Sequence, residues 1–199
     1  MRVKEGNKET DILKAAIKVF AESGYHKAKM SKIAEVAEVA SGSLYLYYKN
    51  KEEILMKVFD NVWTEIYKST EILVQRNDLN SEEKLDSMLD LIFDTFSENP
   101  DIAIIMANEQ KHFQLREAEN FTPYFDKFIG LGQKIIGEGI KVKVFNKNID
   151  INILKVFILG AFSELIVEWA MSKGEISLNL IRSNFKYLLK HGILNPEGK

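Results

Sequence analysis

No cysteine occurs in the 199 residues. Disulfides, thiolate metal sites and a cysteine nucleophile are therefore excluded, as suits a reducing compartment. Histidine is scarce too. His26, His112 and His191 stand in separate segments with no helical ligand spacing, so no metal site is expected. The three prolines all lie where a helix begins or has ended: Asn99-Pro100, Thr122-Pro123 and Pro196. A long uninterrupted apolar run is also missing. The most apolar stretch, residues 151–171, carries Asn152, Lys155, Glu164 and Glu168, which makes it a buried helix rather than a membrane span. The opening "MRVKEGNKETD" has no apolar signal-peptide core. A soluble, cytoplasmic chain with no membrane partner is the expectation.

Catalytic signals are equally thin. "GLGQKIIGEG" lacks a preceding strand, and Gly130, Gly132, Gly137 and Gly139 do not match G-x-G-x-x-G. The carboxylates are scattered over polar faces with no pair suited to acid–base work. No catalytic residue is nominated and no enzyme is expected.

The composition that remains, 46% hydrophobic and 28% charged, is that of a globular protein with one sizeable core or two small domains. The net charge of −2 conceals an asymmetry. Residues 1–57 hold 11 Lys/Arg against 8 Asp/Glu, a balance of +3, which leaves 16 against 21, a balance of −5, for the remainder. A basic head on an acidic body suits a polyanion-binding module joined to something else.

Helical periodicity dominates and no hairpin signal competes with it. Ile12, Ala15, Ala16, Val19 and Phe20 form one apolar stripe, with Thr10 as expected cap and Gly24 as left-handed stop. A second short helix is expected after Ser31. Asn50 and Glu53 make a capping-box-like start for a long helix through Leu73. Gly174 and Gly192 read as C-terminal stops. The expectation is an all-α chain of about nine helices: a three-helix domain over residues 1–50, then a helical bundle over residues 51–199.

The stretch "SGSLYLYYKNKEEIL", Ser41 to Leu55, alternates like a strand. A strand there would have no partner for its backbone in a helical neighbourhood. As a helix capped by Ser41, it puts Leu44 and Tyr48 on one face and Gly42, Ser43, Tyr45, Leu46 and Tyr47 on the rest. Two short helices joined by a turn at Glu38-Val39-Ala40 describe a helix-turn-helix, whose second helix enters a DNA major groove.

"ILKAAIKVFAESGYHKAKMSKIAEVAEVASGSLYLYYKNKEEIL" resembles the DNA-binding domain of the TetR family of bacterial transcriptional regulators. The family's turn usually carries Gly where this chain has Glu38. A non-Gly residue with positive φ costs about 1 kcal/mol; the other option is a slightly different turn. The resemblance, with the chemistry of the residues, makes Ser31, Ser41, Gly42, Ser43, Tyr45, Leu46, Tyr47 and Lys51 the DNA-binding candidates. Ser31 and Lys51 would meet phosphate, Tyr45 and Tyr47 would donate phenolic hydrogen bonds to it, and Ser41, Gly42, Ser43 and Leu46 would face base edges. Arg2, Lys4 and Lys8 could form a minor-groove arm. No Arg, Lys, Asn or Gln occurs from Ser41 to Tyr48, so strong bidentate base contacts cannot come from this helix. Readout through thymine methyls, hydroxyls and DNA shape is expected, on an A/T-leaning operator.

The resemblance implies a homodimer on a palindromic, double-stranded operator, formed through the last two helices, and a repressor released by a small hydrophobic effector. Leu154, Phe157, Ile158, Ala161, Phe162, Leu165, Ile166 and Trp169, with Leu180, Phe185, Leu188 and Leu189, supply the apolar stripes for such a contact. Expected effector-site residues are Phe96, Met106, Glu109, Gln110, His112, Phe113, Arg116, Phe125, Phe128, Phe162 and Trp169. "ANEQKHFQLREAEN" and "GEGI" resemble the fatty-acid-degradation branch. That resemblance implies long-chain acyl-CoA as the effector, with Lys111, His112 and Arg116 at its phosphate end. No other cofactor is expected. The alternative is a DNA-bound adaptor that works through protein partners without an inducer.

Overall fold

The computed structural model describes residues 8–116, 123–172 and 175–193. Among the described residues there are nine helices and no strand: α1 (Lys8–Ser23), α2 (Met30–Val36), α3 (Ser41–Tyr47), α4 (Lys51–Val74), α5 (Ser81–Glu98), α6 (Pro100–Arg116), α7 (Pro123–Lys141), α8 (Ile151–Met171) and α9 (Leu178–Ile193). The chain separates into two compact units, Met1–Val62 with Asp101–Thr122, and Trp63–Pro100 with Pro123–Lys199.

In the first unit α1 packs on α2 and α2 on α3. The expected stripe of α1 is buried, with Leu13 added to it. Gly24 (φ 74°) ends the helix as expected, its N–H donating to the Phe20 carbonyl at 3.0 Å. The starts differ from expectation. α1 already runs at Lys8, so Thr10 lies inside it and is not its cap. α2 begins at Met30 with extended Lys29 as cap residue, because Ile33 N–H reaches the Lys29 carbonyl; Ser31 is therefore helical. α3 begins at Ser41, with Ala40 as cap residue and no side-chain cap.

The turn between α2 and α3 keeps the left-handed residue. Glu38 has φ 55°, Val39 N–H donates to the Ala34 carbonyl and Glu38 N–H to that of Glu35. These are the two bonds of a Schellman stop, formed here without glycine. α7 ends in the same way, with Lys143 (φ 64°) in the left-handed position. At the start of α4, Asn50 Oδ1 accepts from Glu53 N–H at 2.9 Å. The Glu53 carboxylate reaches Lys49 N–H at 2.7 Å rather than that of Asn50, a capping box displaced by one residue.

In the second unit α5 packs on α7 and α9, and α8 packs on α7 and α9. Asn80 and Glu83 form a complete capping box for α5, and Asp150 caps α8 through the N–H groups of Asn152 and Ile153. Phe93 of α5 meets Phe162 of α8 and Phe185 of α9 edge-on, with ring centroids 5.1 and 6.0 Å away. Phe145, 1% exposed, plugs the segment between α7 and α8. Gly139 makes room for it, since a Cβ there would lie 2.3 Å from the Phe145 ring. Pro100 and Pro123 open α6 and α7 as expected. Gly192 is not a stop, because α9 continues to Ile193. Gly174, Thr122 and Pro196 lie outside the described residues.

Candidate functional site

α3 has two faces. Leu44 is fully buried and Tyr48 nearly so, which is the inward pair read from the sequence. Outward, Leu46 is 85% exposed, Tyr45 55% and Tyr47 44%, and Ser41 and Gly42 are exposed while Ser43 is half-buried. Ser31 stands exposed in the first turn of α2. Among the described residues, the α3 face thus displays hydroxyls, aromatic rings and one isobutyl group, with no charge. Gly42 has no positive φ, and a Cβ there would meet no atom within 4 Å. Its propensity cost of about 1 kcal/mol relative to Ala has no return inside the chain. Lys8 opens α1 and is exposed, while Arg2 and Lys4 lie outside the described residues.

Two contacts that sequence reasoning missed fix this surface. The Tyr48 hydroxyl donates to Glu9 at 2.9 Å, pinning the end of α3 to the start of α1. Burial, then the hydrogen bond and charge of Glu9, push the phenol well above its ordinary pKa. Lys51, expected to face phosphate, points its ammonium into the turn between α1 and α2. It donates to the carbonyls of Tyr25 (2.7 Å), His26 (2.8 Å) and Ala28 (3.2 Å) and sits 4.6 Å above the Tyr25 ring. Neither contact has a local sequence signature, since the partners lie 39 and about 25 residues apart.

On the second unit, α9 also has two faces. Three of its cations form a ladder on α5. Arg182 pairs with Asp90 and Asp94, Lys186 bridges Asp86 and Asp90 at 2.8 Å each, and Lys190 pairs with Glu82. Burial works against the Lys186 ammonium, yet the hydrogen bonds of Asp86 and Asp90 outweigh it and hold its pKa above the ordinary lysine value. The four-residue spacing of both rows was legible in the sequence and could have suggested the ladder. Outward, Leu180, Tyr187 and Leu188 are exposed on α9, as are Ile153, Val156 and Phe157 on α8. The apolar stripes read from the sequence divide accordingly. Leu154, Ile166, Phe185 and Leu189 are core, whereas Phe157, Leu180 and Leu188 face out.

Residues 12–58 match the family model for bacterial regulatory proteins of the tetR family, and residues 61–192 match that for the C-terminal region of YsiA-like proteins. The chain belongs to the TetR family. It is a DNA-binding transcriptional regulator, and its relatives are regulators rather than enzymes. The fatty acid metabolism regulator protein of Bacillus subtilis (strain 168) is 28% identical over 188 residues, covering 94% of this chain and 96% of that one. Among solved structures, the fatty acid degradation regulator FadR from Bacillus halodurans superposes with a TM-score of 0.81 at 26% identity, over 96% of this chain and 98% of that one. FadR from Bacillus subtilis in complex with stearoyl-CoA also gives 0.81, at 27% identity, over 92% and 98%. No helix among the regulator's described residues is long and apolar enough to cross a membrane.

Among the described residues, the regulator's expected effector residues of the second unit include two aromatic groupings. Phe96 and Phe162 share a cluster with Phe93 and Phe185, while Phe125 and Phe128 pack on Trp63, with ring centroids 4.7 and 5.3 Å away. Trp169 is half-buried on α8. Met106, buried, and Glu109, half-buried, belong to α6 in the other unit. The side chains of Gln110, Lys111, His112, Phe113 and Arg116 lie outside the described residues.

Proposed function

We propose that this TetR-family regulator is a cytoplasmic repressor that binds a palindromic operator as a homodimer and is released by long-chain acyl-CoA. The observation that carries the reading is likeness over nearly the whole chain to a FadR solved with stearoyl-CoA, at 27% identity and a TM-score of 0.81. Residues 1–50 serve DNA and residues 51–199 serve the effector and dimerisation. Ser41, Gly42, Ser43 and Leu46 face the bases, with Ser31, Tyr45 and Tyr47 on phosphate. Support comes from the exposure of these residues, Ser43 alone being half-buried, beside a buried Leu44. The uncharged face favours thymine methyls and shape over guanine and adenine forks, hence an A/T-leaning operator. The outward apolar residues of α8 and α9 support pairing of two copies through those helices, as two half-sites require. Aromatic residues of the second unit, Phe96, Phe125, Phe128, Phe162 and Trp169, offer apolar surface to the acyl chain.

Selection of random duplexes by the full-length protein, followed by titration with oleoyl- and stearoyl-CoA, tests the reading. An A/T-leaning palindrome released by micromolar acyl-CoA is expected. A guanine-rich core would sink the readout chemistry. Release by other apolar compounds but not by acyl-CoA would sink the effector class, and release by no small molecule would favour the adaptor.

A further inference from the structure

Lys51 is the first residue of α4, half-buried, and its ammonium reaches into the turn that leads from α1 into α2. An ammonium has three N–H donors. Here three carbonyls, of Tyr25, His26 and Ala28, accept at 2.7, 2.8 and 3.2 Å. The floor of the cage is the Tyr25 ring, 7% exposed and set edge-on against Phe20 with centroids 5.5 Å apart. Every donor is committed, and a phosphate would have to pull the ammonium away from three carbonyl dipoles and an aromatic face.

We propose that Lys51 is a positioning residue for DNA reading rather than a phosphate contact. Its clasp fixes the α1–α2 turn against the start of α4, and the Ala28 carbonyl lies two residues before Met30, where α2 begins. The α2 face that carries α3, and with it the base-facing residues of α3, is thereby held at one height. The three acceptors converge on a point, which suits the tetrahedral ammonium and not the planar guanidinium fork. The inference rests on the DNA-binding reading above. It differs from that reading in what Lys51 does: positioning acts on sequence-specific binding, whereas a phosphate contact acts on all DNA alike.

The test uses the full-length protein, the best duplex from random selection and a scrambled duplex of equal length, each titrated across a salt series. For Lys51→Met, affinity for the selected duplex is expected to fall about tenfold, the loss expected of charge-assisted hydrogen bonds. Scrambled-duplex affinity and the slope of log affinity on log salt should stay at wild-type values. A parallel loss on both duplexes with a slope shallower by about one would reveal a phosphate contact and overturn the proposal. A parallel loss that tracks a reduced folded fraction by circular dichroism would make Lys51 merely a fold element and overturn it too, as would no change. Should Lys51→Met fail to fold, Lys51→Arg decides. A phosphate role predicts wild-type affinity for the selected duplex, and the clasp predicts several-fold loss there alone. If the wild type enriches no duplex, the DNA reading falls and this inference with it.

Discussion

The α3 surface and the α8–α9 surface belong to different units, yet each sets cations that are committed to contacts within the chain beside outward uncharged groups. Beside α3, Lys51 is committed to three carbonyls while Leu46, Tyr45 and Tyr47 face out. On α9, Arg182, Lys186 and Lys190 grip α5 while Leu180, Tyr187 and Leu188 face out. They differ in what covers the outward face. The α3 groups alternate hydroxyl and apolar, suited to a wet groove of bases and phosphates, whereas α8 and α9 offer aliphatic and aromatic surface suited to a dry contact with a second copy.

The sharpest way to break this comparison is to charge the dry face. Leu188→Asp, at a position 69% exposed in the single chain, should leave the helical circular dichroism unchanged. Buried unpaired in a dimer, the carboxylate would cost several kcal/mol. Sedimentation should therefore show monomer at micromolar concentration, and operator affinity should drop at least a hundredfold because one half-site remains. A variant that stays dimeric would place the interface elsewhere.

Cutting the inward side should cost less. Lys186→Met removes the cation between Asp86 and Asp90 and leaves two carboxylates facing each other on α5. A loss of about 1–2 kcal/mol is expected, because the pair is only partly buried. The loss should shrink in 0.5 M salt, where the remaining repulsion is screened. Urea unfolding in low and high salt measures both, and a loss independent of salt would mean that packing of the lysine stem, not charge, holds α9.

At α3 a still smaller change should separate stability from binding. Gly42→Ala should stabilise the chain by about 0.5–1 kcal/mol, since the backbone is helical and the site is open. It should nevertheless weaken binding to the selected duplex several-fold, because the added methyl occupies space reserved for DNA. Unchanged affinity would remove Gly42 from the interface.

How much of this was legible in advance depends on range. The helices and the inward Leu44 follow from local periodicity, and the starts of α6 and α7 from Pro100 and Pro123. The cap residues of α2 and α3 lie two residues before Ser31 and one before Ser41, and Thr10 lies inside α1, because a hydroxyl near a helix start does not dictate where the backbone ladder begins. Glu38 shows the reverse case. Its residue type argued against a left-handed turn, and the two Schellman bonds impose one. The Lys51 clasp and the Glu9–Tyr48 bond were invisible because tertiary packing alone brings their partners together. The apolar stripes of α8 and α9 were visible as residue types, but their division into core and outward face required knowing where α5 lies.

The smallest effect tests the Glu9–Tyr48 pin, which sets α3 against α1. Tyr48's phenol has its folded pKa raised above the ordinary 10.0 by burial and by Glu9. The protonated form is thus the one that folding favours. Its contribution is complete below pH 10 and is lost as pH rises through the elevated folded value, at up to about 1.4 kcal/mol per pH unit in between. Tyr48→Phe has no proton to lose. The variant should be slightly less stable than wild type at pH 8, because Glu9 loses its donor, and the difference should narrow by pH 11. Urea midpoints at the two pH values give the comparison directly. A gap that stays constant would mean that Tyr48 ionises as freely in the folded chain as in the unfolded one, and the pin would then contribute nothing to the placement of α3.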